Sequence, residues 1–261
     1  MTEVPLTGGN VTTVVRVGDT VRRSAGLWTP AVHALLRHLE QGGFDAAPQV
    51  IGYDVQGREV LSYLEGDCPG YPLPAHWTTS ELRCQVARQL RRMHDAQAGF
   101  HPPAGARWRA LAQDRGSPEV VCHNDVAPHN TVLRADGSVA FIDWDFAGPG
   151  TRAYDVAHAA WKWVPLYSDT GSAEHGWPAP YDRPARLREF ADAYGLTAGQ
   201  RLGLVEVIRR RMVDTVEGIR RLARAGEPAF VKIWAEGEAA GPRFDIDLLD
   251  RERTGWERAL R

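Results

Sequence analysis

The sequence predicts an α+β fold in two unequal parts, a small N-terminal β-sheet lobe and a larger, mainly helical C-terminal lobe. Three observations lead there. β-Branched residues alternate early in the chain, a Gly- and Pro-rich stretch interrupts it between Gly66 and His76, and apolar residues then recur every three to four positions. With 261 residues, 43% hydrophobic and 25% charged, the chain has the size and composition to bury a sizeable core, as one large domain or as two lobes.

In order, Val11–Val17 and Thr20–Arg23 flank a two-residue turn at Gly18-Asp19 and read as a hairpin. Val32, Leu35, Leu36 and Leu39 follow Pro30 at one-face spacing, predicting a helix that ends near Gly42-Gly43. Val50–Tyr53 and Glu59–Leu64 add a strand pair, and Pro69, Gly70, Pro72 and Pro74 mark the boundary between parts 1–66 and 67–261. Thr79 or Ser80 caps a helix with the stripe Leu82, Val86, Leu90 and Met93. A strand near Val120-Val121, a loop over 123–130 and short strands at 131–134 and 139–142 come next, then helices over 153–164, 183–194, 198–225 and 228–238.

Several function classes drop out. No apolar run reaches bilayer length, so no membrane span is expected. A net charge of −2 with acids and bases interspersed lacks the basic footprint of a nucleic-acid binder. The N-terminal residues lack the basic and apolar regions of a secretory signal, so a cytoplasmic protein is expected. Three cysteines without close spacing suit reduced, structural thiols. Oligomeric state is left open.

Chemistry concentrates in residues 122–145, which place His123, Asp125, Asn130 and Asp143 around one turn and hairpin. Asp125 can orient the proton of an attacking hydroxyl, while Asn130 and Asp143 offer neutral and anionic oxygens for Mg²⁺ on nucleotide phosphates. Asp and Asn also favour turns and caps, the alternative use of all three. His123 beside a buried strand suits a hydrogen-bonded structural role, Asp145 a metal-site support or a cap, and His129 and His158 have no assigned role.

The pattern His123-Asn124-Asp125, Asn130, Ile142-Asp143-Trp144-Asp145 and Asp155-Val156-Ala157 resembles the aminoglycoside phosphotransferase family, a protein-kinase-like fold with choline and homoserine kinase relatives. The resemblance implies Asp125 as catalytic base, Asn130 and Asp143 as Mg²⁺ ligands, and His123, Asp145 and Asp155 as scaffold. It implies a phosphate-covering loop at Gly8-Gly9-Asn10 and an adenine-binding hinge at Leu61–Gly66, with Ser62 and Leu64 as nucleotide contacts. ATP or GTP would be the co-substrate and a small hydroxyl-bearing molecule the acceptor, antibiotic inactivation being one activity of the family.

One departure concerns the lysine that the family places on its third strand and pairs with a helical glutamate. The only lysines here are Lys162 and Lys232. Arg22 falls at the expected position, Val32 and His33 stand where the glutamate is expected, and Glu40 comes too late. Arg22 would act alone or with another acid, or the nucleotide would be held differently, or the protein would bind without turnover. Those options leave an alternative: a catalytically weak or inactive kinase-like ligand-binding, immunity or sensor protein.

On the acceptor side, Glu189–Gly195 resembles part of the family's substrate-binding region. Glu236, Glu238, Asp245, Asp247 and Asp250 form an acidic cluster suited to a cationic substrate or to solvent. Trp161 and Trp163 are possible pocket walls, among nine tryptophans that otherwise suit core and seams.

Overall fold

Five antiparallel strands form the first layer of the computed structural model, which describes residues 2–6, 14–109, 111–179, 181–237 and 241–261. They are β1 (Val4–Leu6), β2 (Val14–Val17), β3 (Thr20–Arg23), β4 (Val50–Tyr53) and β5 (Glu59–Ser62), in the order β1-β2-β3-β5-β4. The β2–β3 hairpin turns at Gly18, whose φ of +59° suits glycine. Helix α1 (Thr29–Gln41) crosses from β3 to β4 and buries Val32, Leu35, Leu36 and Leu39, the stripe read from sequence. The expected phosphate-covering loop at residues 8–10, and the first three residues of the expected first strand, lie outside the described residues.

Gly66 carries the chain out of this sheet. Its φ is +150°, and a Cβ there would come within 2.5 Å of the Leu133 carbonyl oxygen, so only glycine lets the two backbones approach. Asp67 then pairs with Leu133 as an isolated bridge, stitching the connection to the second part.

Helix α2 (Ser80–Asp95) starts where Thr79 Oγ1 accepts from Leu82 N, and it buries Leu82, Val86, Leu90 and Met93. Strands β6 (Val120–Cys122), β7 (Thr131–Leu133), β8 (Val139–Phe141) and β9 (Gly148–Gly150) form two small antiparallel pairs, β6 with β9 and β7 with β8. The remainder is helical: α3 (Arg152–Trp163), α4 (Asp169–Glu174), α5 (Arg183–Tyr194), α6 (Ala198–Leu202), α7 (Leu204–Arg224), α8 (Pro228–Ala235), α9 (Gly241–Arg251) and α10 (Arg253–Leu260). α2 packs on α5 and α3, and α3 packs on α7, which also carries α8 and α9.

The single helix expected over 198–225 is two. Gly203 leaves α6 and starts α7, a position where glycine's conformational freedom weakens a continuing helix. Among the described residues no helix is long and apolar enough to cross a membrane.

Candidate active site

β6 ends at Cys122, and the chain turns through 123–130 before β7 begins. Asp155, in the first turn of α3, holds that turn by its backbone: Oδ2 accepts from His123 N and Oδ1 from Asn124 N, both at 2.8 Å. His94 of α2 lies 3.1 Å from Oδ2 and is itself 2.7 Å from the Tyr194 hydroxyl. Burial raises the Asp155 pKa, but these contacts outweigh it and hold the carboxyl below its ordinary value. Asn124 has φ +65°, a left-handed conformation that asparagine tolerates, and its Nδ2 donates to the Phe146 carbonyl at 3.0 Å. Arg211 of α7 donates to the Asn124 carbonyl at 2.8 Å, so three helices fix one turn.

His123 lies inside this frame. Its Nε2 donates to the Ile142 carbonyl at 3.1 Å, and its Nδ1 accepts from Asp125 N at 3.3 Å. Burial lowers its pKa, which keeps the imidazole in the neutral form that can both donate and accept. Asp125 therefore leaves the turn at a fixed angle. Asn130 Nδ2 donates to both the Asp125 carboxylate (2.8 Å) and its carbonyl (3.0 Å), and His158 Nε2 of α3 lies 3.3 Å from the other carboxylate oxygen. Burial raises the Asp125 pKa, and the nearby imidazoles, His158 foremost, more than reverse that, leaving the carboxylate ionised at neutral pH.

Asn130 and Asp143 meet through the β7–β8 ladder. Ile142 N donates to the Asn130 carbonyl at 3.0 Å, and Asp143 follows at φ +61°, a turn that swings its carboxylate off the strand. With Asn130 Nδ2 used on Asp125, its Oδ1 accepts no hydrogen bond among the described residues. Asp143 Oδ1 accepts from Arg23, and its Oδ2 has no partner among them. An amide carbonyl and a carboxylate oxygen are ligand types that Mg²⁺ takes, alongside waters and phosphate oxygens. No cluster of three or more His, Cys, Asp or Glu side chains suited to a metal occurs among the described residues, so an all-protein cage is not what this site offers.

The cation that faces these acids is Arg23. Arg22, the residue expected there, projects from the opposite face of β3, where Thr20 Oγ1 accepts from it at 2.5 Å and Asp54 lies 3.9 Å away. Strand side chains alternate, so one step in register decides the face. Arg23 is buried and reaches three carboxylates: Glu59 (2.5 Å), Asp143 (2.9 Å) and Asp145 (2.7 Å). Burial lowers its pKa, and the three acids outweigh that and raise it. The glutamate missing from α1 is supplied by β5, where Glu59 sits directly across the ladder from Arg23. His33 of α1, at the helix position where an acid was expected, lies 2.8 Å from Glu59 Oε1. Arg23, Glu59 and His33 thus form one chain of contacts from strand to helix.

Asp145 anchors the far end. Trp28 Nε1 donates to it at 3.0 Å, and the Arg109 guanidinium, which stacks 4.7 Å from the Trp28 ring, lies 3.7 Å away. Burial raises the Asp145 pKa, with Arg23 opposing and Asp143 adding to the rise.

At the hinge the expected contacts divide. Ser62 N donates to the Gln49 carbonyl and Ser62 Oγ accepts from Gln49 N, so Ser62 is engaged at the β4 edge. Leu64 keeps an uncommitted backbone N–H among the described residues. Concavities flank this segment, one lined by Leu36, Phe44, Ser62 and Leu64, the other by Leu64, Gly66, Asp67 and Leu133.

The expected acidic cluster disperses. Asp245 is buried and accepts from Trp161 Nε1 and Ser168 N, Asp250 pairs with Arg209, Glu236 lies near Lys232, Asp247 faces solvent, and Glu238 lies outside the described residues. Glu189 is tied to Ser80 and Arg83 of α2, a structural use. Trp163 packs against Trp77, whereas Trp161 lies beneath the Lys162 ammonium.

Arg23 and Glu59 escaped sequence reasoning although a signal existed: Val21 is the apolar residue of β3, and Arg23 shares its face. Asp155, His158 and Lys162 likewise share one helix face by their spacing of three and four. Trp28 and Arg109 had no comparable signal.

The sequence model of the phosphotransferase enzyme family matches residues 74–204. The trifolitoxin immunity protein of Rhizobium leguminosarum bv. trifolii is 37% identical over 248 residues, covering 91% of this chain and 94% of that protein. Among solved structures, a spectinomycin phosphotransferase in complex with ADP and spectinomycin superposes with a TM-score of 0.63 at 11% identity, over 95% of this chain and 92% of that one. A choline/ethanolamine kinase family protein from Mesorhizobium loti gives 0.62 at 16% identity, over 100% and 92%. These two show a shared kinase-like fold, and with the family match spanning half the sequence, the chain belongs to the phosphotransferase enzyme family.

Proposed function

We propose that this protein transfers the γ-phosphoryl group of ATP or GTP to a hydroxyl of a small molecule. The observation that supports this most is Asp125, ionised, hydrogen-bonded by Asn130 on a turn held by the Asp155 clamp, with Asn130 Oδ1 and Asp143 Oδ2 unengaged among the described residues. The two lobes, 1–66 and 67–261, enclose the nucleotide, with the Leu64 backbone at its base. Asp125 accepts the acceptor's hydroxyl proton as the new O–P bond forms, and the bond from Pγ to the bridging oxygen breaks with its electrons on the departing nucleoside diphosphate. Asn130 and Asp143 would hold Mg²⁺, which when bound neutralises charge on the phosphates. Arg23 takes the place of the strand lysine: its planar fork, positioned by Glu59 and Asp145, meets phosphate oxygens.

The test is thermal unfolding with Mg²⁺ and ATP, GTP or neither, followed by a transfer assay over candidate acceptors. Binding at a hundred times Kd stabilises by about 2.7 kcal/mol. Absence of any nucleotide-dependent shift would overturn the proposal. Asp143→Ala should lose both the shift and transfer.

A second reading is favoured by the relative named for immunity to trifolitoxin, which aligns along nearly the whole chain. In it the cleft captures a ligand without turnover, Arg23 staying locked among its three acids. Tight acceptor binding with no phosphate transfer would select this reading over the first.

A further inference from the structure

Helix α3 carries Asp155, His158 and Lys162 along one stripe. Asp155 clamps the catalytic turn, His158 approaches Asp125 a turn later, and Lys162 follows after another. The Lys162 ammonium lies 3.6 Å from the centre of the Trp161 ring and 5.4 Å from that of Tyr167. His175 stacks on Tyr167 at 4.7 Å and meets the edge of Tyr71 at 4.5 Å, and the Tyr71 hydroxyl lies 3.3 Å from His129 Nδ1. An aromatic wall with one cation in it thus stands next to the proposed base.

That cation lacks a direct counter-ion among the described residues. Lys162 makes no ion pair or hydrogen bond among the described residues. Asp245, the acid it feels most, has one oxygen taken by Trp161 Nε1 and the other by Ser168 N, each at 3.0 Å. His158, on the same stripe, faces the Asp125 carboxylate through Nε2 at 3.3 Å, and its buried Nδ1 has no hydrogen-bond partner among the described residues. A desolvated ammonium gains from an anion that enters beside it.

We propose that the acceptor is a small hydroxycarboxylate: its carboxylate pairs with Lys162, its carbon skeleton lies against Tyr71, Tyr167 and His175, and its hydroxyl reaches Asp125. This rests on the phosphotransferase reading, because Asp125 sets where the hydroxyl goes. A cationic acceptor would instead meet the Lys162 charge, while Asp245, the acid Lys162 feels most, has both oxygens engaged. Burial lowers the Lys162 pKa to about 8, with Asp245 and Asp125 opposing and Arg211 adding to the fall. The neighbouring imidazoles of His129 and His158 have lowered pKa values and stay neutral above pH 7. Lys162 is therefore charged at neutral pH, and anion affinity declines as pH rises through about 8.

The test uses the full chain with 3-hydroxypropionate, 4-hydroxybutyrate and glycerate as probes, against ethanolamine, choline and spectinomycin. Melting temperature and MgATP turnover are measured for the parent, Lys162→Gln and Lys162→Arg. The expected result is stabilisation and phosphorylation with hydroxycarboxylates alone. Lys162→Gln should raise KM about tenfold or more with kcat nearly unchanged and abolish the pH dependence, and Lys162→Arg should restore most of the affinity. Better binding of the cations, a Lys162→Gln protein that treats carboxylates as the parent does, or no response of the parent to any of the three acids would overturn the inference. A protein stabilised by MgATP yet indifferent to the acids loses this inference and keeps the phosphotransferase reading. One that binds the acids through Lys162 but ignores MgATP does the reverse.

Discussion

The two halves of the site are built on opposite principles. The turn over 123–143 draws its internal contacts from nearby residues, Asn130 reaching Asp125 five positions away and His123 reaching Ile142 across one short hairpin, while helices brace it from outside. The cationic half joins strands, a helix and a loop far apart in sequence, with 120 positions between Arg23 and Asp143 and 117 between Trp28 and Asp145. A locally encoded turn keeps a recognisable pattern, while a cation held by distant acids can move by a residue or change identity provided that charge arrives at the same place. Under the proposed function, arginine in place of lysine and a β-strand glutamate in place of a helical one would be such a rearrangement.

The sharpest way to break the comparison is at Asp125. Asp125→Asn should reduce phosphate transfer by roughly 10²–10⁴-fold, the range for loss of a positioned acid–base group, while MgATP still raises the melting temperature. Transfer at the parent rate would remove Asp125 from the chemistry.

Next comes the contrast of adjacent arginines. Arg23→Ala leaves Glu59, Asp143 and Asp145 without their shared cation and should cost about 3–5 kcal/mol in urea unfolding, with loss of nucleotide binding. Arg22→Ala, whose nearest acid lies 3.9 Å away on the other face, should cost less than about 1 kcal/mol and leave nucleotide binding intact. Equal effects at the two positions would mean that the strand is held in the other register.

A smaller effect is expected at the clamp. Asp155→Asn retains shape but exchanges one backbone acceptor for a donor against His123 N or Asn124 N, and should destabilise the protein by about 1–3 kcal/mol. Its transfer rate should fall more than its nucleotide affinity, which separates loop placement from cleft integrity.

The mildest prediction concerns acid. Burial, with Arg211 contributing, lowers the His158 pKa from 6.5 to about 3. The unfolded chain then binds the proton that the folded one refuses, so stability is full above pH 6.5 and declines as pH falls toward about 3. His158→Gln should flatten that part of the pH–stability curve, with His123 and His129, also lowered by burial, carrying the remaining slope.

How much was legible follows from the range of each interaction. The helical stripes of α1 and α2, the β2–β3 turn and the oxygen-bearing turn from Asp125 to Asp143 are set by neighbours within a few positions, and the sequence displays them. The α6–α7 break at Gly203 was within reach but hidden by apolar periodicity that continues past it. Ser62 and Leu64 looked equivalent at the hinge until the β4 edge, through Gln49, engaged one and left the other.

The sequence by itself determined the two-part α+β architecture and the turn that carries Asp125, Asn130 and Asp143, because hydrophobic period and turn chemistry are local properties. Only the tertiary structure decided which arginine faces the acids, which glutamate answers it, and that Lys162 stands among aromatic rings with no ion pair among the described residues. Those depend on strand register and helix packing, in which one residue's step turns a side chain from solvent to the site.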